Sequence, residues 1–235
     1  MNITATAGQA RRFYVLMGLI MAGVVLLGFA RTYYLKEWFH TPALTLRLHL
    51  HAFVLTLWLA LFVIQAKLIA VGRRRLHMTL GVAGIVLAAL VVVATFAAAI
   101  EAARLGGARG GITAADRLFS SVLAVSTFGV FVTLGATFRK QGEIHRRFML
   151  LATIAVIGPG VTRAVVLLAG HPIRDSHVAV MFLLVSSALF NDWRTRSRIH
   201  PVLLGGGLFL IASQLTRRIA GATEVWAHIG NWMIY

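Results

Sequence analysis

Seven apolar runs, at residues 13–30, 46–70, 76–100, 115–138, 144–169, 176–193 and 201–220, leave little freedom in what this chain can become. About 20 apolar residues in a helix cover the roughly 30 Å of hydrocarbon in a bilayer. Backbone N–H and C=O groups find no partner in lipid except each other, so runs of this length must be helices. Composition agrees: the 235 residues are 59% hydrophobic, with a mean hydropathy of +0.82, against about 45–50% apolar in a soluble domain. The expected fold is an all-α membrane protein, a single polytopic domain over residues 1–235. Its seven transmembrane helices read as one lone helix followed by three hairpins.

The first run follows MNITATAGQARR. At about 18 residues it exceeds the roughly 7–15 of a signal-peptide core, so it reads as a retained first helix. The net charge of +16 would suggest nucleic acid in a soluble chain. Here the basic residues gather in short turns. Arg11, Arg12, Lys67, Arg73, Arg74, Arg75, Arg139, Lys140, Arg146, Arg147, Arg194, Arg196 and Arg198 all fall on one side if the amino terminus is cytoplasmic. The positive-inside rule then gives an N-in, C-out protein of a bacterial inner membrane, partnered by lipid and not by nucleic acid. There are no cysteines, so any metal or redox centre must use His, Met, carboxylate or backbone ligands.

Short loops leave no room for a soluble domain. The longest, RTYYLKEWFHTPALT (residues 31–45), carries Trp and Tyr suited to an interface. RLGGARGG and AGHPIRD mark two further breaks. The basic turns share a pattern in which the return helix opens with an aliphatic residue and histidine: Leu76-His77, Ile144-His145 and Ile199-His200. Two readings compete. The histidines and arginines anchor helix ends at lipid phosphates, or two of the histidines face each other and ligate something. A helix amino terminus disfavours imidazolium and so leaves a neutral ring able to bind metal.

HRRFMLLATIAVIGPGVTRAVVLL (residues 145–168) resembles the H-R-R-x-M helix of a group of small bacterial polytopic membrane proteins, catalogued mostly as a domain of unknown function. GRRRLHMTLG (residues 72–81) is similar to their G-R-x-x-x-H-x-x-L-G signature. The resemblance covers helices two to five best and singles out His77, His145, Arg146, Arg147, Met149 and Arg163. It implies no established activity, and Met78 stands where an arginine is usual. In arrangement only, the chain also resembles diheme b-type membrane cytochromes, in which four helices carry one histidine pair near each face.

Histidines 49 and 51 lie two apart and so point about 200° from each other on a helix. Arg47, His51, Trp58 and Gln65 share one face, which should turn inward because polar side chains avoid lipid. The fourth helix aligns Asp116, Ser120 and Thr127. The sixth places His177 near its outer end and Asn191 and Asp192 near its inner end, and the seventh carries Gln214 with Arg217 or Arg218. His40, His171 and His228 read as solvated surface. Arg163 lies just beyond GPG (residues 158–160), where the helix should kink. An arginine in a membrane usually has a partner or snorkels.

Depth sorts these groups into two layers. The outer holds Arg47, His51, Asp116, Arg163, His177, Gln214 and Arg217. The inner holds Gln65, His77, His145, Asp192 and His200. The pairs His51 with His177 and His77 with His145 could ligate two b-type hemes, with Arg47 and Arg163 facing the propionates. As the alternative to that first reading, Arg47, His51, Arg163, His177 and Arg217 could line an outer basic pocket for a small anion or a lipid-like molecule, with Asp116 the one carboxylate expected at that depth. No nucleophile elbow, phosphate loop or zinc-protease spacing appears, and no catalytic residue is nominated. Three classes stay open: a heme-based electron-transfer protein, a binder or transporter of an anionic molecule, and a subunit or assembly factor of a larger membrane complex.

Overall fold

The computed structural model describes residues 3–106 and 113–235, and the described residues are helical throughout apart from turns. In chain order the helices are α1 (Ile3–Phe29), α2 (Leu46–Ala70), α3 (Arg74–Gly106), α4 (Ala114–Thr137), α5 (Gly142–Val156), α6 (Gly158–Ala169), α7 (Ser176–Arg196), α8 (Pro201–Gly221) and α9 (Glu224–Ile234). A π-helix, Ala30–Tyr34, prolongs α1. Five described helices are each long and apolar enough to cross a bilayer, and α5 with α6 passes the same test as one broken span bent by 50°.

The turns follow from local chemistry. Thr45 caps α2 by accepting the Leu48 N–H, and Gly72 reverses the chain after α2 at a φ of +80°, which a side chain would resist. Thr113 and Asp116 form a reciprocal capping box at α4. Pro201 starts α8, where its missing N–H costs nothing. Pro159 breaks the span between α5 and α6, because its ring cannot continue the hydrogen-bond ladder.

Each of the pairs α2–α3, α4–α5 and α7–α8 packs side by side, as hairpins do, while α1 packs on α2, α6 and α7. One continuous core joins them, built around Met21, Trp58, Phe128, Leu150, Leu151, Ile154, Met181 and Leu210. Trp58 meets Phe128 edge-on at 4.8 Å and donates its indole N–H to Thr153 at 3.3 Å, which satisfies its one polar atom. Large side chains such as Leu16, Val82, Val93, Leu183 and Leu208 stay on the outside, as a surface solvated by lipid requires. At Gly28 the backbones of α1 and α6 nearly touch: a Cβ there would collide with the carbonyl oxygen of Gly160.

Several boundaries differ from the sequence reading. The first helix begins by Ile3, ahead of its apolar run, and α3 continues past residue 100 to Gly106. The fifth run is two helices, and the tail holds α9 with His228 exposed upon it. Most of the RLGGARGG turn, Arg109 included, lies outside the described residues, as do Met1, Asn2 and the side chain of Arg218.

Candidate functional site

The bundle has a basic end, with the turns at 71–73, 138–141 and 197–200, and a far end. Towards the far end the 50° bend carries α6 away from the line of α5. A cavity of about 1140 Å³ opens among α1, the π-helix, α2, α3, α4 and α6. Small residues on α3, namely Ala98, Ala99, Ala102 and Ala103, leave it unfilled, and its deeper wall is apolar, with Leu55, Leu59, Val125, Val156 and Ile157.

Its polar lining comes from several helices. Arg163 stands on α6 one turn beyond the break, with Nη1 donating to the Pro159 carbonyl at 3.2 Å. The guanidinium lies 4.7 Å from the Phe29 ring centroid, a cation–π contact on a side chain that stays exposed at the bundle surface. No carboxylate lies within ion-pair distance of it among the described residues. Asp116, also on the wall, accepts from the Thr113 backbone and hydroxyl, so the capping box occupies it. Arg217 pairs with Asp175 at 3.1 Å, and Arg174 meets the same carboxylate at 3.6 Å. His51 lines the cavity with its Nδ1 buried and unpaired, as is the Thr95 hydroxyl. Tyr34 joins Thr56 by a 2.7 Å hydrogen bond.

The structure thus brings His51, Asp116, Arg163 and Arg217 to one cavity. It keeps Arg47 and His177 off that wall. Arg47 has a side chain 62% exposed and its nearest carboxylate is Glu101, at 4.0 Å. His177 is buried in the first turn of α7 against Gly158. Depth along a helix says nothing about direction around it. Gln214 is buried on α8 with its Nε2 unpaired, and Ser120, on the wall, returns its hydroxyl to the Asp116 carbonyl.

At the basic end His77 and His145 do meet, with ring centroids 6.2 Å apart and planes at 84°. His145 Nδ1 lies 2.8 Å from the Gly135 carbonyl. A carbonyl only accepts, so Nδ1 carries the proton and Nε2 is left as a lone-pair donor. Beside that carbonyl a Cβ on Gly135 would press on the Met149 sulfur at 2.9 Å, which that flexible side chain could relieve by shifting. His200 plays another part. Its Nδ1 accepts the Val202 N–H at 3.2 Å, and its own N–H donates to Asp192 at 3.3 Å. Burial, and then the Arg147 charge, hold the His200 imidazole below its ordinary pKa.

Beside them lies a charge network absent from the sequence reading. Arg147, fully buried, forks onto buried Asp192, with Nε–Oδ2 of 2.9 Å and Nη2–Oδ1 of 2.5 Å. Its Nη1 reaches Glu143 at 2.8 Å. The same carboxylate receives Arg146 at 2.7 Å and Arg196 at 2.8 Å, and Arg146 lies over the Tyr14 ring at 5.2 Å. The spacing of Glu143 and Arg147, one helical turn apart, was a legible signal. Asp192, 45 residues on, was not. Among the described residues no group of three or more His or carboxylate side chains could hold a metal ion.

No protein-family model, no curated protein and no solved structure matches this chain.

Proposed function

We propose that this chain is a seven-helix membrane protein, amino terminus in, that binds an amphiphilic anion in the far-end cavity. The observation that carries the reading is Arg163, a cation with no carboxylate in ion-pair reach among the described residues, on the wall of a cavity with much apolar lining. A carboxylate or phosphate head would take Arg163, with His51 and Thr95 offering further polar contacts, while its chain would fill the space lined by Leu55, Leu59, Ala98 and Val125. A charge-assisted hydrogen bond contributes about 1.5–3 kcal/mol, and the planar guanidinium fork matches a carboxylate or phosphate. The basic turns at the opposite end support the orientation, with the cavity outward and α8 as the seventh span.

The test is titration of the detergent-purified protein with a dansyl-labelled long-chain fatty acid, followed by displacement with unlabelled competitors. Wild type should bind it, and Arg163→Gln should bind on the order of tenfold or more weakly, as loss of a charge-assisted bond implies. A fatty alcohol of equal length should compete poorly. Better competition by short-chain phosphatidic acid than by fatty acid would point to a lipid headgroup, and the converse to a free carboxylate. Equal binding by wild type and Arg163→Gln would refute the reading.

One observation favours a second reading, a single b-type heme between His77 and His145. His77 and His145, with ring centroids 6.2 Å apart, would hold the group through ring nitrogens, and it would supply one-electron transfer. Reduced-minus-oxidised spectra of the purified protein, with His77→Ala and His145→Ala beside wild type, test it. A wild type without an α-band after expression with added hemin would dispose of it.

A further inference from the structure

The cavity does not run through the bundle. Below Val156 and Ile157 come the fully buried Leu150, Leu151, Ile154 and Phe128, and below those the charge network. Apolar packing alone would seal that end. Replacing a buried ion pair with well-packed apolar residues is often neutral or stabilising, so a buried pair is weak evidence for a purely stabilising role and suits a switch better. This one ties α5 to α7 through Arg147 and Asp192. Arg196 adds a second tie through Glu143, and the Asp192 carboxylate also holds the turn before α8 through the His200 N–H.

The break in the span supplies the matching joint. The half carrying the charges is α5, and the half carrying Arg163 is α6. At the break Ile157 holds α5 by a long bond, its N–H to Ile154 O at 3.5 Å, while its carbonyl accepts the Val161 N–H of α6 at 3.1 Å. In membrane transporters, discontinuous helices of this kind form the ligand site, and access alternates as one part of the bundle rocks against another.

We infer that the Arg147–Asp192 pair, with Glu143 and Arg196 around it, is the closed inner gate of a passage. On this inference, which rests on the proposed ligand cavity, the chain moves its amphiphilic anion between membrane faces. The structure is then the outward-open state, and rocking at Ile157–Pro159 accompanies release of Asp192 from Arg147.

The absence of cysteine makes the test direct. A single cysteine is placed on the cavity wall by Ala124→Cys and probed with a membrane-impermeant maleimide in right-side-out and inside-out vesicles. With the gate intact, labelling should come from the outer face only. Adding Asp192→Asn should raise labelling from the inner face on the order of tenfold, the effect of one charge-assisted bond on a two-state equilibrium. Retained outer-face labelling in the same variant reports that the bundle is folded. If Asp192→Asn fails to reach the membrane, Arg147→Lys, which keeps the charge and loses the fork, is read instead and should also raise inner labelling. Inner-face labelling unchanged in whichever variant folds would overturn the gate. The readout needs no ligand, so it stands or falls separately from binding at Arg163, which the fatty-acid titration decides.

Discussion

The contact between Gly28 and Gly160 sets a measurable cost on a single methyl group. In Gly28→Ala the new Cβ would meet the Gly160 carbonyl oxygen, its carbon at 2.9 Å and the Ala164 nitrogen at 3.1 Å. All three are backbone atoms of α6, so no side chain can swing aside. Restoring a separation of about 3.5 Å requires α1 and α6 to part by on the order of 1 Å. Overpacking of this kind costs about 1–3 kcal/mol, and the better helix propensity of alanine offsets about 1 kcal/mol of it. Gly205 is the internal control, since nothing lies within 4 Å of a Cβ there, and Gly205→Ala should gain that propensity without penalty. The two variants should therefore differ by roughly 1–3 kcal/mol, a gap of several degrees in Tm for a chain of this size. Thermal unfolding in detergent, followed through the five tryptophans, measures it. A Gly28→Ala protein that melts with or above Gly205→Ala would show that α1 and α6 do not approach as described.

Asp192→Ala should cost about 3–5 kcal/mol, because it leaves the Arg147 guanidinium buried without its forked partner. The double variant Arg147→Met with Asp192→Leu should recover most of that loss in the same unfolding measurement. Stability should also depend on pH through His200, whose folded-state pKa is depressed by burial and by Arg147. The unfolded chain takes up a proton near the ordinary value of about 6.5, while the folded ring resists it. The contribution is therefore present above that value and is lost as pH falls through the folded pKa. Unfolding midpoints between pH 8 and pH 5 should fall less steeply in His200→Asn, which keeps an acceptor for the Val202 N–H. Within the bundle, Trp58→Phe should cost about 1 kcal/mol beyond its lost packing, since Thr153 loses its indole donor.

The helices were legible because length and apolarity alone force them once lipid is the solvent. The break at Pro159 was legible too, since proline removes a donor wherever it falls. What escaped the sequence reading has a common cause. A π-turn has no compositional mark, as it depends on which carbonyl an N–H chooses. Helix α9 is short, and its signal is modest: Thr223 accepting the Trp226 N–H, with Glu224 in the first turn. Around the cavity, the helical period grouped Arg47 with His51, yet the wall takes only His51, because 40° of rotation separates a cavity from its margin. His77 and His145, at the amino ends of α3 and α5, share a depth, and their rings meet there. The Arg147–Asp192 fork depended on α5 and α7 touching, which no local pattern encodes.

The five residues Ala30–Tyr34 give the far end an arithmetic of its own. The Leu35 N–H reaches back to the Ala30 carbonyl, so this turn holds one residue more than an α-turn closed by an i→i−4 bond. Removing Ala30 or Arg31, neither of which lines the cavity, would let the ladder close in α-fashion and turn the chain that follows by about 100°. Tyr34, now bonded to Thr56 on the cavity wall, would swing to another side, although every residue type of the wall would survive. The identity of this wall is therefore written in chain length as much as in side chains. A single-codon deletion here is expected to do more to the cavity than most substitutions within it.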